Sequence, residues 1–389
     1  MRQACAVLIA AAVLLTGQAG LWPAAAAYSP APGALFNNPR ADTGSKDRIL
    51  SHIRSAVEGT PRHATIQIAA YSLDRPDLVD ALARAHHRGV DVQLVLNDNW
   101  TSPATRRLVL TLGTDTNRRS FVTVCVASCR GGAGNQHMKF YLFSESGSAK
   151  DVVMIGSSNL TGYAAKTQWN DMYTVVDKPR LRDLYTKVFE QLVRNRRLED
   201  PSMRRTVGIF ENEFGPFPDV TKDTDPVMKR LRQVSCSAGS GVDQNGRTVI
   251  SIVMYGWGSD RGLYLADKVA DLSRSGCIVR VIVSSGGRQV VGTLKRGGVL
   301  VRSADLDLDY NAETGFGGTA FEVFTHQKYM LLSGSFRGKR GWQVWTGSEN
   351  WSGMGLINDE VTIRIPRRNA YQRYLTNFDY VWSTWSRAL

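Results

Sequence analysis

The sequence predicts an α/β protein of two related halves. Three observations lead there. The stretch "QHMKFYLFS" at 136–144 returns 189 residues later within "FTHQKYMLLS" at 324–333, with its histidine, lysine, apolar run and final serine in the same order. Upstream of each copy, a strand pattern, an amphipathic helix pattern and a second strand pattern follow one another. Such units imply parallel strand pairs with right-handed crossovers. The chain is also long enough, at 389 residues with 43% hydrophobic, to bury two cores.

Taken in order, residues 1–27 read as a secretory leader: one charge at Arg2, an apolar region from about Ala4 to Thr16, and a small-residue site ending near Ala27. Export of a soluble, secreted protein is the expectation. Residues 28–45, rich in Pro, Gly and Asn, read as an extended arm. The first lobe is expected over 46–205. In "ATIQIAAYSLDRPDLVDALARAHHRGVDVQLVLND", Leu78, Val79, Leu82 and Ala85 share one helix face and Gly89 marks its stop. His86 and His87, at the end of that helix, suit capping or a wet surface. A connector is expected over 206–224 and the second lobe over 225–389, where Leu265, Val269 and Leu272 repeat the helix face before Gly276.

The two repeats carry more than apolar pattern. Residues two apart on a strand share a face, so His137 projects with Lys139 and His326 with Lys328. A buried ammonium needs an anion or water. Downstream of each copy stand "MIGSSNLTG", with Ser157 and Asn159, and "WTGSENWSG", with Ser348 and Asn350; then come "QWNDMYTVV" around Asp171 and "INDEVTIRI" around Glu360. Two lysines and two amides, with the two serine hydroxyls, make the halves of a clamp for a phosphodiester, whose equatorial oxygens gain charge in the transition state. Two facing histidines divide the chemistry, one attacking phosphorus and the other protonating the leaving alcohol and then activating water. No metal or other cofactor is required by that scheme.

Paired H-x-K motifs, each trailed by G-S-x-N and an acidic residue, resemble the phospholipase D superfamily over essentially the whole mature chain. The resemblance implies two phospholipase D-like lobes, each a mixed β-sheet flanked by helices, with the active site at their interface. It further implies His137 as nucleophile, His326 as general acid/base, and Asp171 and Glu360 as acidic partners that each orient a histidine. One departure stands out. The usual pattern has Asp five residues after the Lys, and this chain has Ser144 and Ser333. The related tyrosyl-DNA phosphodiesterases also dispense with that Asp, so the change bears more on which branch the chain joins than on its chemistry.

With Cys5 inside the leader, Cys125, Cys129, Cys236 and Cys277 remain, an even number suited to two disulfides in an oxidising compartment. Of three pairings, Cys125–Cys129 with Cys236–Cys277 keeps each bond within one half. A zinc site would need more than one C-x3-C pair. The net charge of +13 favours anionic partners and includes short clusters, "RNRR" at 194–197 and "PRR" at 366–368. A phospholipid substrate with membrane-surface contact is the first expectation, nucleic acid the alternative substrate, an inactive anion-binding relative the last, and a monomer the expected state. Trp100, Trp257, Trp351, Trp382 and Trp385 include candidates for the mouth of the cleft, while most of them read as core.

Overall fold

The computed structural model describes residues 27–239, 245–306 and 323–389, apart from the side chain of Trp100. The leader expected over 1–27 lies outside the described residues but for Ala27. Strands of the first half are Gly33–Phe36 (β1), Thr65–Ala69 (β2), Asp91–Asn97 (β3), Phe121–Cys125 (β4), Phe140–Ser146 (β5), Ala149–Gly156 (β6), Gln168–Trp169 (β7) and Asp171–Val175 (β8). All but β7 form one sheet, in the order β1-β8-β6-β5-β2-β3-β4. β2, β3 and β4 run parallel, with helices Pro76–His87 and Pro103–Leu112 as crossovers, and the remaining pairs are antiparallel. The sheet is mixed, as expected.

The second half supplies Met203–Val207 (β9), Phe210–Phe214 (β10), Val234–Ser235 (β11), Val249–Trp257 (β12), Ile278–Gly286 (β13), Leu300–Ser303 (β14), Asp305–Leu306 (β15), Val323–Thr325 (β16), Lys328–Phe336 (β17), Lys339–Gly347 (β18), Val361–Ile365 (β19) and Arg387–Ala388 (β20). Its sheet runs β20-β14-β13-β12-β17-β18-β19-β10-β9, with β11 on β17. The β12–β13–β14 stretch is parallel and repeats β2–β3–β4. Helix Ser259–Arg274 crosses over as Pro76–His87 does, burying Leu265, Val269 and Leu272 where the first buries Leu78, Val79, Leu82 and Ala85. Burying such a side chain contributes roughly 1.5–3 kcal/mol, so these stripes hold each crossover on its sheet.

Two segments expected to be mere connections do more. The N-terminal arm contributes β1, which pairs antiparallel with β8, and residues 203–214 fold into the β9–β10 hairpin, whose β10 pairs antiparallel with β19. In each lobe an added strand thus covers the edge of the strand that follows the acidic motif, an edge otherwise open to pairing with another chain. β7 pairs parallel with β16, and β16 antiparallel with β15, so a small third sheet stitches the two halves. The disulfides are Cys125–Cys129 and Cys236–Cys277. Each lies within one half.

Candidate active site

Both H-x-K segments leave their own lobe before entering β5 and β17. The His137 N–H donates to the Asp359 carbonyl at 3.0 Å, and the His326 N–H to the Trp169 carbonyl at 2.9 Å. Each histidine therefore hangs on backbone of the opposite half. Behind them, each lysine folds back on its own histidine: Lys139 Nζ donates to the His137 carbonyl at 2.7 Å and Lys328 Nζ to the His326 carbonyl at 2.5 Å.

The ring partners differ between the halves. His137 Nδ1 lies 2.8 and 3.0 Å from the two carboxylate oxygens of Glu360, across the interface. His326 Nδ1 lies 3.1 Å from Oδ1 of Asn170, also across the interface. The serines complete each set: Ser348 Oγ donates to Glu360 Oε2, and Ser157 Oγ donates to Asn170 Oδ1 at 3.0 Å. Glu360 Oε1 also accepts from Asn358 Nδ2 at 3.1 Å.

Asp171 accordingly does not hold His326. Its Oδ2 accepts from Tyr374 OH at 2.9 Å and from Thr346 Oγ1, so it ties β8 to the second lobe. The reason is register. Ser157 Oγ accepts the N–H of Asp171 at 3.0 Å, and Ser348 Oγ accepts that of Val361 at 3.0 Å. Asp171 thus corresponds to Val361, and Asn170 to Glu360. Neighbouring strand residues face opposite ways, so a shift of one exchanges the residue at the histidine for the one behind it. Ser157 and Ser348 are corrected as well: both hydroxyls are engaged inside the protein, bracing the histidine partners.

The glycines before them are there for closeness. A Cβ on Gly156 would come within 2.3 Å of the Asp171 carbonyl oxygen, and one on Gly347 within 2.0 Å of that of Val361. Asn350 Oδ1 accepts the Gly256 N–H at 3.1 Å, which leaves its NH2 as donor. Asn159 makes no side-chain hydrogen bond among the described residues, and its Oδ1 is buried.

Besides Asn170, two residues escaped the sequence reading. The Tyr71 ring stands 5.3 Å from that of His137 with Lys139 Nζ 5.3 Å over it, and the Tyr255 ring stands 4.8 Å from that of His326 with Lys328 Nζ 5.0 Å over it. An aromatic face attracts a desolvated ammonium. The signal was present, since "AAYS" and "VMYG" end equivalent strands of the repeat. Conversely, Trp257 and Trp351 are not at the cleft mouth: they are 0% and 2% exposed, ring to ring at 4.6 Å, with Trp257 Nε1 donating to the Gly262 carbonyl. Trp382 and Trp385 are half-buried on the last helix and beyond it, against the cations of Arg280, Arg302 and Arg40. Trp100 lies outside the described side chains. Ser144 Oγ accepts the Thr65 N–H at 2.8 Å, and Ser333 shares a hydrogen bond with Tyr371, so both serines tie neighbouring elements together along their strands.

Burial sets the protonation. It drives His137 well below the usual imidazole range, with Lys139 and then Lys328 adding to the effect. His326 is depressed by burial first, then by Lys328, Lys139 and His137. Burial likewise brings Lys139 down to about 7 against the opposing pull of Glu360, and pushes Glu360 up to about 7 against Lys139. Lys328 falls well below its ordinary value, through burial and then the Lys139 charge. Asp171 is raised by burial. Two neutral histidines beside two desolvated lysines make a pocket that an anion stabilises, since a bound anion returns the lysines to their charged form. Among the described residues no three His, Cys, Asp or Glu side chains gather as metal ligands would.

A two-lobed fold with one H-x-K set per lobe, meeting at the seam, defines the class. The family described as "Cardiolipin synthase, PLD-like domain" matches residues 49–193 and again 244–382. The chain belongs to this phospholipase D superfamily, whose members act on phosphodiester bonds. Among solved structures it resembles a phosphatidylserine synthase of Haemophilus influenzae Rd KW20, with a TM-score of 0.57 and 11% identity over 92% of this chain and 89% of that one. It also resembles a polyphosphate kinase of Porphyromonas gingivalis, with a TM-score of 0.55 and 11% identity over 89% of this chain, spanning 49% of the kinase's length. At these identities the likeness is one of fold. No curated protein matches the chain in sequence.

Proposed function

We propose that the protein is an exported phosphodiesterase of the phospholipase D type, which hydrolyses phospholipids, or transfers their phosphatidyl group, through a phosphohistidine. The observation that carries the chemistry is the unequal pair of histidine partners, Glu360 on His137 and Asn170 on His326. Attack by His137 Nε2 on phosphorus forms the N–P bond while the P–O bond to the leaving alcohol breaks. The imidazole then bears positive charge, which the Glu360 carboxylate at Nδ1 stabilises. His326 takes up its proton once the anionic phosphodiester is bound beside it, and, held by a neutral amide, it gives that proton up more readily than a carboxylate-bound imidazolium does. It is the general acid for the leaving alcohol, then the base for the water that cleaves the N–P bond.

In this reading Lys139, Lys328, Asn159 and Asn350 hold the phosphoryl oxygens, and Tyr71 and Tyr255 keep the lysine heads in place. The lipid assignment draws on the matched family's description, which names a phospholipid synthase. Export draws on the leader at 1–27. A nuclease is the second reading, favoured by the net charge of +13. Phosphatidylcholine vesicles, plasmid and single-stranded DNA are assayed side by side in excess EDTA. Choline release with intact DNA supports the proposal; nicked DNA with no choline release overturns the lipid assignment. An acid-labile mass increase on the peptide carrying His137 is expected after rapid quenching, and its absence counts against the covalent route.

A further inference from the structure

Two strands that start at the catalytic cluster run away from it and lead into long helices: β8 into Pro179–Arg194 and β19 into Arg368–Thr384. At their far ends the two helix starts and the β9–β10 hairpin line an open cleft of about 780 Å³, within the size range typical of small-molecule sites, about 300–1,000 Å³. Its wall is apolar: Tyr173, Leu181, Val207 and Phe210, with Ile209 36% exposed at the rim. Lys178 and Arg180 approach from one lobe, Arg367 and Arg368 from the other, all four solvent-exposed. Among the described residues none of the four forms an ion pair, whereas the next cation, Arg182, is paired with Asp151. Lys178 Nζ reaches only the Asp177 carbonyl, and Arg368 lies 5.1 Å over the Trp342 ring. Neither helix has a side-chain cap at its start.

Four unpaired cations beside two helix N-termini repel one another and complement an anion. The apolar wall beneath them is left to solvent unless the anion brings an apolar tail. We propose that this cleft binds a single anionic amphiphile, its phosphate head among Lys178, Arg180, Arg367 and Arg368 and its alkyl chain along Tyr173, Val207 and Phe210. The head-group end is separate from the catalytic cluster, since a five-residue strand, roughly 15 Å long, lies between Asn170 and Lys178 and another between Glu360 and Arg367. It does not depend on the reading of the catalytic chemistry.

Calorimetric titration of the full chain uses dodecyl phosphate below its micelle threshold, with inorganic phosphate and dodecyl maltoside as separate arms. Dodecyl phosphate is expected to bind at least about tenfold more tightly than either. The R367Q/R368Q variant and, from the other lobe, K178Q/R180Q each weaken it by about tenfold or more, and Ile209→Ser brings it toward inorganic phosphate. Melting temperature and hydrolysis of bis(p-nitrophenyl) phosphate stay unchanged in all three. Equal binding of dodecyl phosphate and inorganic phosphate overturns the proposal, as do variants that bind like the wild type. Binding that survives R367Q/R368Q but vanishes in His137→Ala places the head group in the catalytic cluster, and overturns it too.

Discussion

The two lobes build the same frame and finish it differently. Each has an H-x-K segment that crosses to the other lobe, a lysine under a tyrosine ring, and a serine bracing the histidine's partner. The partner itself is a carboxylate, Glu360, on His137 and an amide, Asn170, on His326. A duplicated fold gives two equivalent imidazoles, and one changed side chain per set suffices to make them unequal. The carboxylate favours a ring that becomes cationic; the amide favours a ring that hands its proton on.

The harshest way to break that comparison is to remove each ring in turn. His137→Ala is expected to lower kcat by roughly 10⁴–10⁶-fold, as loss of a nucleophile does. His326→Ala is expected to cost roughly 10²–10⁴-fold in kcat and to spare only the first step, read as the burst of leaving group, on substrates whose leaving group needs no proton, such as p-nitrophenolate. Equal losses in that first step on p-nitrophenyl and alkyl esters would remove the division of labour. Glu360→Gln comes next, at roughly 10²–10⁴-fold in kcat. It carries a pH signature. Glu360 titrates at about 7, so kcat/KM of the wild type falls as pH drops through that value and the carboxylate takes a proton; in Glu360→Gln the acid limb disappears.

The same carboxylate has a stability signature of opposite convenience. Its folded pKa is raised above the unfolded value of about 4.3, so the folded state binds more protons in that window. Stability is therefore greatest below it and falls as pH rises toward about 7. Glu360→Gln is expected to flatten part of that decline in melting temperature. Asn170→Asp sharpens the comparison by making the sets alike: a carboxylate on His326 raises its pKa, and the basic limb of kcat moves to higher pH while kcat changes by about tenfold or less. Asp171→Asn, at the residue behind, is expected to leave that limb in place and to lower the melting temperature, because its loss weakens the Thr346 and Tyr374 ties. A shifted limb in Asp171→Asn would return Asp171 to the histidine.

The disulfides differ between lobes in the same spirit, and their removal is the smallest effect expected on turnover. Cys236–Cys277 closes a span of 41 residues and Cys125–Cys129 one of 4, so loop-closure entropy predicts losses of about 4 and about 2 kcal/mol, respectively. Yet the short one lies nearer the chemistry. The Cys129 N–H donates to Asp359 Oδ2 at 2.6 Å, and Asp359 precedes Glu360. C125S/C129S is expected to lower kcat several-fold with a small change in melting temperature, and C236S/C277S to do the reverse.

Much of this was legible in the sequence because it is written in local pattern. The apolar stripes of the crossover helices, the duplicated H-x-K and G-S-x-N motifs, and the cysteine pairs within each half all depend on residues close in the chain or on plain repetition. Tyr71 and Tyr255 were legible too, at equal places in the repeat, but an aromatic at a strand end does not declare its cation until the strand bearing the lysine is laid beside it. Which tryptophans are core stayed open for the complementary reason, since glycine-rich surroundings do not reveal that Trp257 and Trp351 cover each other.

By itself the sequence determined the class of fold, the duplication, and the histidines and lysines of the site. Tertiary structure decided what each histidine faces, that the arm and the hairpin close the two sheet edges, and that the "PRR" cluster meets Lys178 and Arg180 across the seam. The physical reason is register. Which way a strand residue points is set by the partner strand to which its backbone bonds, and here the partners come from the other half of the chain. A shift of one position, invisible in composition and spacing, exchanges Asp171 for Asn170 at the ring of His326.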